Sequence, residues 1–106
     1  MVKRFDIWLV KLNPTVGSEV NKTRPCMVIS PDEVNKHLKT VTVIPLTSTI
    51  KDYPTRINCV FQNKNGQLVI DQIRSVDKKR LIKKLGTMNK ETSIKTCEII
   101  TEMFKF

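Results

Sequence analysis

The sequence predicts a small, mainly β domain with short helices (α+β class), arranged as a β-barrel or half-open sheet with a C-terminal amphipathic helix. Two observations support this prediction. Segments rich in β-branched and aromatic residues recur along the chain and are separated by Pro, Gly, Asn and Ser. The only long stretch with helical periodicity is the tail that begins near residue 89.

The strand pattern repeats five times. The predicted strands span residues 5–12, 24–30, 40–48, 55–61 and 67–76. Residues 13–23 form an eleven-residue loop, and loops of this length in compact domains are often functional. Pro45 indicates a bend or an edge in the third strand. "NKNG" (63–66) predicts a tight turn with Asn-Gly at its end.

Three helices are predicted. Residues 31–38 form one or two turns with Ser30 as N-cap and Pro31 at the first position, and the basic segment 77–86 forms a short helix that ends at Gly86. The tail helix is capped by Asn89. Its predicted core-packing face consists of Ile94, Cys97, Ile100 and Phe104.

Length and charge limit the functional class. The 106 residues form one domain, 1–106, and 40% apolar content supplies one modest core. No apolar run reaches the ~20 residues of a membrane span, and the start does not resemble a signal peptide, so we expect a cytoplasmic protein. The net charge of +9 favours a polyanionic partner, which can be RNA, DNA, an acidic protein segment or an anionic membrane surface.

Several kinds of chemistry find no support in the sequence. Cys26, Cys59 and Cys97 are widely spaced in apolar settings and are expected to be buried, reduced thiols. The single histidine, His37, is expected on a solvated helix, which leaves no histidine pair for acid–base chemistry. No metal-ligand spacing, Gly-rich phosphate loop or nucleophile elbow is present, so we expect no metal and no cofactor.

Polar residues at strand ends are the remaining candidates for a site. Pro25 biases the preceding Arg24 towards an extended backbone and so places a guanidinium at a strand entrance. Thr47 and Ser48 end the third strand, where they can be turn residues or can present hydroxyls to a phosphate. The other candidates are Ser18, Glu19, Lys22, Asp71, Gln72 and Arg74. If 67–76 is one strand, Gln72 and Arg74 share a face opposite Asp71 and suit an interface or a ligand groove.

Three stretches carry a resemblance to a known family. They are "DIWLVKLNPTVGSEVNKTRPCMVIS", "VTVIPLTS" and "LVIDQIRSVDKKRLIKKLG". The succession of G-S-E, T-R-P, P-L-T-S and D-Q-I-R, with this spacing and chain length, resembles the MazF/PemK (Kid-like) toxins of bacterial toxin–antitoxin systems. The resemblance covers nearly the whole chain.

The resemblance implies an SH3-like barrel, a homodimer and a metal-independent endoribonuclease that cuts single-stranded RNA. It also implies a cognate, acidic antitoxin that lies across the RNA-binding surface. In the family, the Arg of T-R-P and the Thr of P-L-T-S are the catalytic pair, and these match Arg24 and Thr47. With the resemblance, the expected substrate-binding residues are Ser18, Lys22, Ser48, Asp71, Gln72 and Arg74. Gln72 and Arg74 are assigned to the RNA groove or to a dimer contact.

The general base is left open at this point. Arginine, with a pKa above ~12, is an awkward proton acceptor, whereas Glu19 and Asp71 are carboxylates. The Kid-like branch pairs an Asp with a basic residue two positions earlier and a histidine in the first loop, but this chain has Val69 and Ser18 there. Two other interpretations are a non-catalytic barrel toxin that binds nucleic acid or poisons a protein such as DNA gyrase, and a basic interaction module.

Overall fold

The protein is described here by a computed structural model of residues 1–106. The fold is built on one antiparallel sheet of seven strands. The strands are β1 (Asp6–Lys11), β2 (Thr23–Val28), β3 (Thr40–Thr47), β4 (Arg56–Phe61), β5 (Lys64–Val69), β6 (Arg74–Asp77) and β7 (Leu81–Thr87). The helices are α1 (Asp32–His37) and α2 (Lys90–Met103), with 3-10 turns at Ile70–Gln72 and Lys78–Arg80. The predicted mainly β class with a C-terminal helix is confirmed.

Strand β3 is the centre of the sheet. The strand order is β4-β5-β3-β2-β1-β7, and β6 pairs with the first half of β3 on the edge where β5 pairs with its end. The two outermost strands approach each other, since a Cβ on Gly86 of β7 would lie 3.2 Å from a ring carbon of Phe61 in β4. The sheet therefore curls towards a barrel.

Alternating residues of the central strands supply two apolar clusters. Ile44 of β3 belongs to a ten-residue cluster against which α2 packs, while Val43 belongs to a seven-residue cluster between β1, β2, β3 and β6. Both faces of the central strands are therefore covered. No helix is long and apolar enough to span a membrane.

Two strand and helix predictions are wrong. The single strand predicted for 67–76 is interrupted by the 3-10 turn at Ile70–Gln72. Pro45 lies in the gap between the two paired halves of β3, and because it lacks an N–H it cannot extend the ladder there. Gln72 and Arg74 therefore do not alternate on one continuous strand with Asp71.

The basic helix predicted for 77–86 is instead a 3-10 turn followed by β7. β7 pairs with β1 along the edge that β2 leaves free, so a complete hydrogen-bond ladder outweighs local helix propensity. Gly86 consequently lies inside a strand rather than at a helix end.

The hairpin turn lies earlier than predicted. Phe61 pairs with Lys64, and the two turn residues are Gln62 and Asn63, both with positive φ (52° and 62°). This backbone suits a two-residue hairpin of the primed type. Gly66, predicted to end the turn, lies within β5.

The helix termini agree partly with the predictions. Asn89 caps α2 by accepting a hydrogen bond from Thr92 N (2.8 Å), as predicted. The cap of α1 is Pro31 rather than Ser30, whose buried hydroxyl bonds Asn35 instead.

The predicted apolar face of α2 is only half correct. Cys97 and Ile100 pack against the core, but Ile94 and Phe104 are 50% and 70% exposed. The residues that α2 buries completely are Ser93 and Thr96. Their hydroxyls bond main-chain oxygens one turn earlier, so they can be buried without unsatisfied polar groups.

Gly66 is required where β5 meets the end of β3. A Cβ at this position would lie 2.7 Å from the main-chain oxygen of Thr47, whereas a Cβ on Gly86 would meet only a movable ring at 3.2 Å. We therefore predict that Gly66→Ala lowers the free energy of unfolding by about 1–3 kcal/mol. Gly86→Ala is the matched control and should lose less. Urea unfolding of both variants measures this, and equal losses would contradict the backbone clash.

Candidate active site

Arg24 is fixed at the entrance of β2, as the sequence predicts. Its backbone pairs with Val10 of β1, and Pro25 follows it. Its Nε donates a hydrogen bond to the main-chain oxygen of Asn21 (3.2 Å), while its two terminal nitrogens have neither a hydrogen bond nor an ion pair. The side chain is thus anchored at Nε and leaves two parallel donors for a ligand.

Thr47 is placed beside Arg24 by strand register. The β2–β3 ladder ends at the pair of Cys26 with Pro45, two residues from Arg24 on β2 and two residues from Thr47 on β3, and Arg24 and Thr47 line the same cavity. The Thr47 Oγ1 atom accepts a hydrogen bond from Thr49 N (3.1 Å). Because a hydroxyl accepts and donates at once, its proton remains free for a second partner.

Arg24, Thr47 and Ser48 line one open cavity of about 240 Å³. Leu46 and Phe61 contribute apolar wall, and the hairpin that follows Phe61 brings Lys64 to the same space. Two cationic side chains and two hydroxyls therefore surround a space that an anionic group such as a phosphate can fill.

The remaining predicted residues lie elsewhere. Glu19, Asp71, Gln72 and Arg74 line a second cavity of about 390 Å³. Pro45 borders the second cavity and the next residue of β3, Leu46, borders the first, and no residue lines both. Ser18 and Lys22 line neither of them.

Gln72 fastens the loop that carries Glu19. Its Oε1 accepts from Val20 N (2.5 Å), and its Nε2 donates to the main-chain oxygen of Ser18 (3.2 Å). The two contacts bracket Glu19, whose Oε1 in turn accepts from Val16 N (2.7 Å). One carboxamide therefore sets the backbone on both sides of a candidate proton acceptor.

Two arginines hold the start of the same loop. Arg74 Nη1 donates to the main-chain oxygen of Leu12 (3.3 Å), and Arg80 Nη1 donates to that of Lys11 (3.0 Å). Leu12 N donates to the main-chain oxygen of Lys22 (2.9 Å), which closes the loop across its base. The loop before Arg24 is consequently anchored at its middle and at its base, and the side chain of Lys22 remains exposed.

Asp71 is engaged in an ion pair. Its Oδ1 accepts from Thr55 Oγ1 (3.0 Å) and from Arg56 Nε (2.9 Å), and the Arg56 guanidinium stacks over the Tyr53 ring at 5.2 Å. Burial raises the pKa of Asp71, but the hydrogen bonds from Arg56 and Thr55 and the Arg56 charge outweigh it, and the pKa falls below its usual value. This carboxylate is thereby a weaker proton acceptor.

The three thiols are free, as predicted, but Cys97 is only half-buried. Burial raises the pKa of Cys26 to about 12 against the opposing charge of Arg74. Burial also raises the pKa of Cys59, which lines the first cavity. A thiolate nucleophile is therefore disfavoured at both positions. No group of three or more His, Cys, Asp or Glu side chains is arranged to hold a metal ion.

Sequence interpretation does not identify two residues of the site. Gly66 allows β5 to approach Thr47, and the buried Gln67 bonds the chain after Thr47 through its side chain. The only signal for Gln67 is a polar residue at the head of the apolar run "LVI". Its partner, Lys51, is 16 positions away and is not evident from the pattern.

The Asp71 ion pair predicts a pH-dependent stability. Because folding lowers this pKa, the pair stabilises the fold above the unfolded-state pKa of about 3.9, and the contribution is lost as the pH falls through the folded-state value. The difference in unfolding free energy between wild type and Asp71→Asn should stay constant from about pH 7 to 5 and shrink below about pH 4. Urea unfolding across this range measures it.

The control for this experiment is Asp52→Asn, which alters an exposed carboxylate that forms no ion pair. It should show no such change with pH. If the difference in unfolding free energy between wild type and Asp71→Asn stays as large in acid as at neutral pH, the proposed role of the Asp71 ion pair is contradicted.

Comparison with known proteins agrees with this fold. The family model "PemK-like, MazF-like toxin of type II toxin-antitoxin system" matches residues 3–104. The chain is 34% identical over 100 residues to "Endoribonuclease MazF" of Staphylococcus epidermidis, which covers 89% of this chain and 83% of that protein.

Two solved structures share the fold at 20% identity. The crystal structure of MazF from Deinococcus radiodurans superposes with a TM-score of 0.88 over 99% of this chain and 97% of that one. A mycobacterial endoribonuclease in complex with its cognate antitoxin superposes with a TM-score of 0.81 over 96% and 93%. The family resemblance expected from the sequence is confirmed: the chain belongs to the PemK-like, MazF-like toxins of type II toxin–antitoxin systems.

Proposed function

We propose that this toxin is a metal-independent endoribonuclease that cleaves single-stranded RNA, with Arg24 and Thr47 at the scissile phosphate. The enzyme class follows from the family, whereas the chemistry and the residues are inferred. The observation that carries the proposal is that the free donors of Arg24 and the free hydroxyl proton of Thr47 belong to one cavity.

The proposed reaction is an internal transesterification. The ribose 2′-oxygen attacks the adjacent phosphorus, the bond from phosphorus to the 5′-oxygen breaks, and the products carry a 2′,3′-cyclic phosphate and a 5′-hydroxyl. Arg24 grips the non-bridging oxygens with two parallel N–H groups and stabilises the charge that develops on them. Thr47 donates its hydroxyl proton to the same phosphate and aligns it for attack.

Two proton transfers complete the reaction. The proton of the 2′-hydroxyl passes to a carboxylate, and the departing 5′-oxygen takes a proton from solvent water. The carboxylic acid then returns its proton to the hydroxide that is left. We assign the acceptor role to Glu19, because its Oε2 has no partner while both oxygens of Asp71 are bonded to Arg56. Glu19 lies on the loop that leads into Arg24, which supports its access to the same substrate.

Unpaired positive charge supports an RNA substrate. Only two of the nineteen Lys and Arg side chains form ion pairs with carboxylates, Arg56 and Lys84. We propose that Lys22, Ser48 and Arg74 contact the phosphate backbone around the cut. Ser18, Asp71 and Gln72, also predicted as substrate-binding, contribute by shaping the loops beside it.

The proposed partners are a second copy of the chain and an acidic antitoxin. A mycobacterial neighbour of the fold was solved with its cognate antitoxin, which supports such a partner here. A domain of 12.2 kDa with exposed apolar side chains such as Ile82 and Phe104 gains stability from pairing with another copy, which supports the homodimer. We propose that this complex acts in the cytoplasm.

Cleavage of a long single-stranded RNA in excess chelator tests the mechanism. Wild type should cut and leave 2′,3′-cyclic phosphate ends, and Arg24→Ala or Thr47→Ala should lower the rate about 10²–10³-fold, the cost of removing one oxyanion donor. Gel analysis and end mapping measure both results. In the same assay, Glu19→Gln should lower the rate at least about 10²-fold if Glu19 accepts the proton.

Lys39→Ala is a control, because Lys39 is an exposed basic residue that lines neither cavity. Its rate should match wild type. Cleavage that disappears with chelator, or that survives both the Arg24 and the Thr47 substitution, would refute the mechanism. RNA binding without any cleavage by wild type would favour the non-catalytic barrel toxin.

The antitoxin proposal predicts a salt-sensitive complex. The protein carries a net charge of +9, so an acidic segment should bind it less tightly as salt rises, because exposed charges are screened. Titration of the toxin with the acidic protein encoded beside it, from low to high salt, measures the affinity. An affinity that is independent of salt would contradict an electrostatic contact.

A further inference from the structure

We propose that Gln67 is a positioning residue of the active site, which closes the loop after Thr47 and thereby orients the Thr47 hydroxyl. The inference rests on the role proposed above for Thr47. It adds a residue that neither touches the substrate nor lines the cavity of Arg24 and Thr47.

Gln67 holds both ends of a five-residue segment. Its backbone pairs with Thr47 in the β3–β5 ladder. Its side chain, only 3% exposed, accepts from Lys51 N (3.0 Å) and donates to the main-chain oxygen of Lys51 (2.9 Å) and to Asn58 Oδ1 (2.8 Å). Gln67 therefore fixes the chain at Thr47, where it leaves β3, and again at Lys51, four residues later.

The segment between these two points has little else to hold it. Ser48, Thr49 and Ile50 are exposed or half-exposed, and the one further hydrogen bond within 47–51 runs from Thr49 N to Thr47 Oγ1. That bond decides which way the Thr47 hydroxyl points. If Lys51 were released, Thr49 N would lose its fixed position and the hydroxyl proton would lose its direction.

A carboxamide is the group that this geometry needs. The backbone N–H of Lys51 requires an acceptor, while the oxygens of Lys51 and Asn58 require a donor. Glutamine offers both, whereas a glutamate of the same size offers only acceptors and would set a charged oxygen against two others. A buried group left unsatisfied in this way is costly, so the loop should open.

The test uses Gln67→Glu and Gln67→Met in the full chain, with Asn35→Asp as matched control. Asn35 is also a buried carboxamide (2% exposed), but it lies in α1, bonds Ser30 just before that helix and lines neither cavity. Four quantities are measured: the single-turnover cleavage rate, the affinity for an RNA with a 2′-deoxy group at the cut site, the unfolding free energy, and amide hydrogen exchange at Lys51 and Thr49.

We expect both Gln67 variants to cleave about 10–100-fold more slowly, as misplacement by about an ångström allows. The affinity for the uncleavable RNA should change by less than about threefold, because the groups that bind it remain. Amide exchange at Lys51 and Thr49 should accelerate. Asn35→Asp should lose stability but keep its cleavage rate and its exchange at these two amides.

Each outcome has a defined meaning. Wild-type cleavage rates in a folded Gln67 variant, or rate losses that follow stability equally in the Gln67 and Asn35 variants, would overturn the positioning role. If Gln67→Glu does not fold, Gln67→Met, which is neutral and similar in size, carries the same test. If wild type does not cleave or Arg24→Ala remains active, the proposed function fails instead, and Lys51 exchange still decides whether Gln67 closes the loop.

Discussion

The site depends on the antiparallel register between β2 and β3. The pairing of Cys26 with Pro45 brings the entrance of one strand to the exit of the other, and Arg24 and Thr47, each two residues beyond that pair, line one cavity. Cross-strand neighbours lie on the same face and within side-chain reach. A slip by one residue would move Arg24 to the other face, so the apolar alternation that fixes the register also fixes the site.

The same register explains why β5 and the 3-10 turn after it matter. Pro45 cannot donate to the ladder, so the chain opposite it leaves the sheet at Ile70–Gln72 before it returns as β6. This excursion carries Gln72 out to the loop that precedes Arg24. The 3-10 turn that interrupts the strand therefore lines part of the second cavity and, through Gln72, holds the loop that forms another part of it.

Sequence alone predicts the structural features that depend on residues close together in the chain. Alternation locates β1 to β4, the Asn89 cap follows from its side chain, and the Pro after Arg24 marks a constrained position. The largest errors concern long-range pairing. Segment 77–86 has a helical composition, but the free edge of β1 makes Leu81–Thr87 a strand.

The candidate site divides in the same way. Arg24 and Thr47 became candidates because each lies at a strand end, and the family resemblance singled them out as the catalytic pair. Gln67 could not, because its partner, Lys51, is brought to it only by the path of the chain after β3. Glu19 precedes Arg24 by five positions on the same loop, yet it lines the second cavity and not the cavity of Arg24.

Uncharged side chains hold the loops beside a site that must attract an anion. Both loops beside Arg24 and Thr47 are held by carboxamides, Gln72 before and Gln67 after, each using donor and acceptor together. A carboxylate in either place would offset the guanidinium charge that a phosphate must meet, and a lysine could not accept from a backbone N–H. The Asp71–Arg56 pair, by contrast, is self-neutralised and fastens the segment beside Tyr53. The two loops are therefore held in place without reducing the positive charge at the cavity. The same surface can then attract both RNA and an acidic protein.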